Sequence, residues 1–118
     1  MDIKPIRSDS DYQATLDEIE ALMAAEADTP EGERLDILVT LVEAYERNHF
    51  PLDLPDAVEA IRFYMARQNL TPRDLVPMIG QINRVYEVLN RKRKLTLKMI
   101  QRLHDQLGIP AESLIKAG

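Results

Sequence analysis

The sequence predicts an all-α chain in which two amphipathic helices precede five shorter ones, and three observations predict it. Leu, Ala, Glu and Arg are abundant against 4 Gly and 5% aromatic residues, a balance that favours helices over strands. Apolar residues recur at three- and four-residue intervals through most of the chain, the period of a helix with one buried face. Thr-Pro occurs twice, at Thr29-Pro30 and Thr71-Pro72. Each pair sets a capping side chain before a proline at the first helical position, where a missing N–H is not needed.

Taken in order, Ser8, Asp9, Ser10 and Asp11 offer N-caps for a first helix over about 9–27, with Tyr12, Leu16, Ile19 and Leu22/Met23 on one stripe. Thr29 caps a second helix that runs to Asn48, with Glu31 and Glu33 at the positive end of its dipole. It carries two apolar stripes, Leu35, Leu38, Val42, Tyr45 and Ile37, Leu41, Ala44, so burial on more than one side is expected. That helix is either central to a small core or partly covered by a second chain.

Two prolines in Phe50-Pro51-Leu52-Asp53-Leu54-Pro55 force an extended path and divide the chain into residues 1–54 and 55–118. A third helix starts near Pro55 or Asp56 and buries Val58, Ile61, Met65 and either Phe63 or Tyr64, ending before Asn69. A short helix from Thr71 holds Leu75, Val76 and Ile79 and closes at Gly80. The next, from Gln81, turns Ile82, Val85, Val88 and Leu89 inward and leaves Gln81, Asn83, Arg84, Tyr86, Glu87 and Asn90 outward. After Arg91-Lys92-Arg93-Lys94, Thr96 caps a helix with Leu97, Ile100, Leu103 and Leu107 that stops at Gly108, and a last turn follows Pro110.

The net charge of −5 hides an asymmetry. Residues 1–55 hold 14 acidic against 4 basic residues, and residues 56–118 hold 6 against 11, so the halves carry −10 and +5. That division suits a nucleic-acid module joined to an acidic, partner-facing segment. No Cys is present, and His49 and His104 have no metal-ligand spacing around them, so no metal, cofactor or thiol chemistry is expected. His104 and His49 read as surface or capping residues. Without a glycine-rich phosphate loop or a paired acid and base, an enzyme with a small-molecule substrate is the least favoured class. No signal-type segment and no run of about 18 apolar residues occurs, which points to the cytoplasm and away from a membrane.

Residues 70–80 (LTPRDLVPMIG), 85–97 (VYEVLNRKRKLTL) and 101–115 (QRLHDQLGIPAESLI) resemble the Xre/Cro-type, lambda-repressor-like helix-turn-helix domain of HigA-type antitoxins. The resemblance covers about residues 50–115. It implies a bacterial antitoxin that silences a HigB-like mRNA endonuclease toxin and, as a homodimer, represses its own operon by binding double-stranded operator DNA. Two departures stand out: Arg91 follows Leu89-Asn90 where many relatives have Gly, and Gly80-Gln81-Ile82-Asn83-Arg84 stands where Ser-rich turns are common.

On that resemblance the helix after Gly80 is the recognition helix. Gln81, Asn83 and Arg84 are then the expected base-edge contacts, with Tyr86 and Glu87 as further candidates, since Asn or Gln pairs with adenine and Arg with guanine. Arg91, Lys92, Arg93 and Lys94 are expected on the sugar-phosphate backbone, where they add affinity without sequence information. Thr71, Arg73 and Thr96 are placed to reach phosphates near helix N-termini. Without the resemblance the same residues read as a solvated face. Asp17, Glu18, Glu20, Glu26, Asp28, Glu31 and Glu33 are expected to face the basic, RNA-binding surface of the toxin. Two alternatives stand beside this reading: a repressor without a toxin partner, and a helical protein-binding adaptor, which has no need of four successive cations.

Overall fold

The computed structural model describes residues 3–49 and 56–115. Residues 50–55, with the proline-rich break and the boundary after Leu54, lie outside the described residues, as do 1, 2 and 116–118. The described residues form α1 (Asp9–Leu22), α2 (Pro30–His49), α3 (Ala57–Gln68), a 3-10 turn (Pro72–Leu75) running into α4 (Val76–Ile79), α5 (Ile82–Leu89), α6 (Leu97–Leu107) and α7 (Ala111–Ile115), with no strand among them.

Helix α1 ends five residues earlier than its periodicity predicts, and the reason lies far along the chain. The side-chain amide of Gln101, on α6, donates to the carbonyls of Met23 (3.0 Å) and Ala25 (2.6 Å). A helix continuing through Ala27 and Thr29 would have claimed those acceptors. Asp28 then takes a positive φ of 64°, and the chain reverses into α2. There the Thr29 hydroxyl donates to the Glu26 carbonyl (2.6 Å) and accepts the Gly32 N–H (3.0 Å).

One stripe of α2 is buried as expected, through Leu35, Leu38 and Val42, and Val39 joins it. The second stripe is not enclosed: Ile37 is 43% exposed, while Leu41 and Ala44 are half-buried. Between α1 and α2 the Tyr12 hydroxyl donates to Glu46 Oε2 at 2.5 Å in a buried contact, with the Tyr45 ring stacked 5.0 Å away. Burial, and then the adjacent Glu46 carboxylate, push the Tyr12 hydroxyl far above its ordinary pKa.

Asp56 caps α3 by accepting the Glu59 N–H. Val58, Ile61 and Met65 are buried, Tyr64 is half-buried and Phe63 stays out. The helix expected over 72–79 is split because Pro77 has no N–H to return to the Arg73 carbonyl. Val76 N–H bonds that carbonyl instead, which produces a 3-10 turn. Met78 rather than Val76 fills the core there.

A single apolar cluster runs from Tyr12, Leu16 and Ile19 through Leu35 and Val42 to Ile61, Leu75, Val85, Leu103, Leu114 and Ile115. The two segments that the charge pattern separates therefore share one core. Helix α7 makes the join, packing against α1, α2, α3 and α6.

Candidate nucleic-acid interface

Residues 72–89 form two short helical elements around a tight turn. Gly80 has a φ of 137°, which a side chain rarely adopts, and its N–H closes α4 on the Val76 carbonyl at 3.0 Å. Val85, Val88 and Leu89 fix the inner face of α5 in the core, and α5 packs against the preceding 3-10 turn and α4. Gln81, Asn83, Arg84 and Tyr86 consequently project from the opposite face and are exposed. Glu87 is half-buried and its carboxylate lies 3.5 Å from Arg93 Nε. The first turn of α5 thus presents amide and guanidinium groups on a helix rigidly seated from behind.

The C-terminal end of α5 is closed on three sides. Arg91 N–H bonds the Val88 carbonyl (3.1 Å) and Lys92 N–H the Glu87 carbonyl (2.8 Å), with Arg91 at a positive φ of 61°. This is a Schellman closure with arginine where glycine is usual. Arg62 on α3 donates from Nη2 to the Leu89 carbonyl at 3.0 Å. Arg91 itself reaches back to the cap of α3, with Nε 2.6 Å from Asp56 Oδ2 and Nη2 3.2 Å from Asp56 Oδ1. That guanidinium holds the Asp56 carboxyl below the ordinary carboxylate range.

The expected phosphate-contacting residues therefore fall into two groups. Arg91 and Arg93 are ion-paired within the chain, and Thr71 gives both its N–H (2.7 Å) and its hydroxyl (3.1 Å) to Asp74. Arg73, Lys92 and Lys94 are exposed and form no ion pair with another described residue, and the same holds for Arg84 among the expected base-edge contacts. Thr96 caps α6 by accepting the Met99 N–H at 3.2 Å. Arg62 and Asp56 were not legible as part of this region, because each acts across more than 25 positions of sequence.

Beside the loop after α5 lies a cleft of about 150 Å³ lined by Glu43, Val58, Val88, Lys94, Leu95 and Ile115, among others. Burial raises the Glu43 carboxyl above its ordinary 4.5; Arg47 and Lys94 oppose that shift and Asp36 adds to it. A carboxyl raised in the folded state contributes stability below 4.5 that is lost as pH rises through the raised value. Glu43→Gln should therefore raise the melting temperature at pH 7, by a small amount because the group is only partly buried. The gain should shrink as pH falls through the raised value and vanish below 4.5, and a lower melting temperature at pH 7 would contradict this account.

The acidic residues expected to face a toxin are not equivalent. Glu18 pairs with Arg34, and Glu20 accepts the Ala111 N–H (3.3 Å) and lies 3.8 Å from His104 Nε2. Asp17, Glu26, Asp28, Glu31 and Glu33 have exposed side chains. His104 also donates from Nδ1 to the Ile109 carbonyl at 2.8 Å, a capping role between α6 and α7, while His49 stacks on Tyr45 with ring centres 4.0 Å apart. Among the described residues no cluster of three or more His, Cys, Asp or Glu could hold a metal ion. No helix among them is long and apolar enough to cross a membrane.

No family model matches the chain. It is 30% identical over 112 residues to proteins described as "Antitoxin HigA" from Escherichia coli strain K12 and from Shigella flexneri. In each case the match covers 88% of this chain and 78% of the relative.

Proposed function

The chain belongs to the HigA antitoxin family, and from that premise we propose that it silences a HigB-like mRNA endonuclease and represses its own operon as a DNA-binding homodimer. The observation that carries the DNA half is α5: its inner face is locked in the core while Gln81, Asn83 and Arg84 project beside exposed Lys92 and Lys94. That is the arrangement by which the second element of a helix-turn-helix reads the major groove. Residues 55–118 carry this role. Residues 1–54 supply the toxin-facing charge, with Asp17, Glu26, Asp28, Glu31 and Glu33 as the exposed carboxylates and Glu18 and Glu20 held closer to the fold. A dimer follows from DNA geometry, because one motif covers one half-site and a second lies a helical turn of about 34–36 Å away.

The test is binding of the full chain to its own promoter and to an unrelated duplex, across a range of salt. Arg84→Ala should lower the preference for the promoter by about 1–3 kcal/mol, whereas Lys92→Ala should weaken both duplexes alike and flatten the salt slope by about one unit. Equal affinity of the unaltered chain for the two duplexes would remove operator recognition. Growth rescue on co-expression with the neighbouring gene tests the antitoxin half.

A further inference from the structure

We infer that Asp56 occupies Arg91 as an internal substitute for phosphate, so that the loop after α5 is held below its full sequence-independent affinity for DNA; this rests on the DNA-binding reading above. Two carboxylate oxygens meet Nε and Nη2 of one guanidinium, at 2.6 and 3.2 Å. Arginine grips phosphate in the same two-pronged manner. Glu59 Oε1 adds a second negative group 4.0 Å from Nη2. The pairing is built from both sides: Asp56 is fixed as the cap of α3, and Arg91 is fixed by the Schellman closure of α5.

Position alone does not explain the residue. The left-handed backbone at Arg91, with a φ of 61°, would be easier for glycine, and the α5 carbonyls are met by backbone N–H groups and Arg62. What arginine adds is a cation next to the recognition helix, already engaged by a carboxylate. Arg93 with Glu87 repeats the pattern more loosely at 3.5 Å. Of the four successive cations, Lys92 and Lys94 are then the ones that meet phosphate without first leaving an ion pair with a described residue.

The discriminating variant is Asp56→Asn, which keeps an oxygen to cap α3 but removes the charge that holds Arg91. Asp56→Ser serves the same purpose if the amide disturbs folding. Binding of the full chain to promoter and to unrelated duplex is measured against salt, with thermal melting as a check on the fold. Asp105→Asn, on α6, removes the same charge elsewhere. Asp56→Asn should tighten both duplexes by the same factor, several-fold at low salt, with a slope steeper by about 0.9 for one added phosphate contact. The ratio between the duplexes should stay constant, and adding Arg91→Ala should reverse the gain. A gain no larger than that of Asp105→Asn, or weaker binding to both duplexes in a folded variant, would overturn the inference. Loss of promoter preference in the unaltered chain would instead overturn operator recognition, while the unrelated duplex still reports on Arg91.

Discussion

Alanine at Gly32 is expected to destabilise the chain by about 2–4 kcal/mol, combining overpacking with loss of one helix cap. The sign is the point, because glycine to alanine inside an unconstrained helix stabilises by about 1 kcal/mol. Here a Cβ on Gly32 would overlap the Glu26 carbonyl oxygen and come within 3.0 Å of its carbon and 3.2 Å of the Thr29 hydroxyl. These are backbone and capping atoms, so no flexible side-chain end can move aside. The same carbonyl accepts from Thr29, which in turn receives the Gly32 N–H; displacing Glu26 would open the cap of α2. Thermal denaturation should show a fall on the order of 10 °C. An unchanged or higher melting temperature would mean that the α1–α2 turn relaxes freely and that the close approach is not needed.

The elements that local chemistry determines were legible. Capping residues before apolar stripes located α2 and α6, and Gly80 and Gly108 marked turns that take positive φ. Inward and outward faces of α5 followed from the spacing of Val85, Val88 and Leu89. What stayed hidden was set by partners distant in sequence. The end of α1 depends on Gln101, the closing of the last turn of α5 on Arg62, and the state of Arg91 on Asp56. Periodicity carries no sign of which glutamine will reach a carbonyl 76 residues away. The two stripes of α2 show the converse: apolar spacing identified both, yet only contact with α1 and α7 decides which is buried, and Ile37 lies outside that contact. In the candidate interface, residue type indicated the cations, while their availability depends on carboxylates that the fold alone brings near.

Removing residues 1–50 should unfold the remainder rather than release an independently folded unit. The charge pattern suggests a clean division near the prolines, but α7 packs against α1 and α2 as well as α3 and α6. Leu114 and Ile115 are each 2% exposed and Ala111 1%. Re-exposing a large apolar side chain forfeits about 1.5–3 kcal/mol, so two or three such losses exhaust much of the roughly 5–15 kcal/mol that holds a domain. The truncation also strips Gln101 of the Met23 and Ala25 carbonyls and Ala111 N–H of Glu20. Circular dichroism and denaturant titration of 51–118 should show loss of cooperative unfolding, and dye binding should report exposed apolar surface. A truncated chain that melts cooperatively near the temperature of the full chain would establish two independent domains. Until that is observed, lost toxin binding in such a truncation says nothing about toxin-facing charge. Reversing Asp17 and Glu26 to lysine leaves the core intact, because both side chains are exposed and neither lies in the first turn of a helix, where a reversed charge would oppose the dipole. If the acidic half steers the toxin, those variants should slow association with it and leave the melting temperature nearly unchanged; unaltered association would remove these carboxylates from the toxin-facing surface.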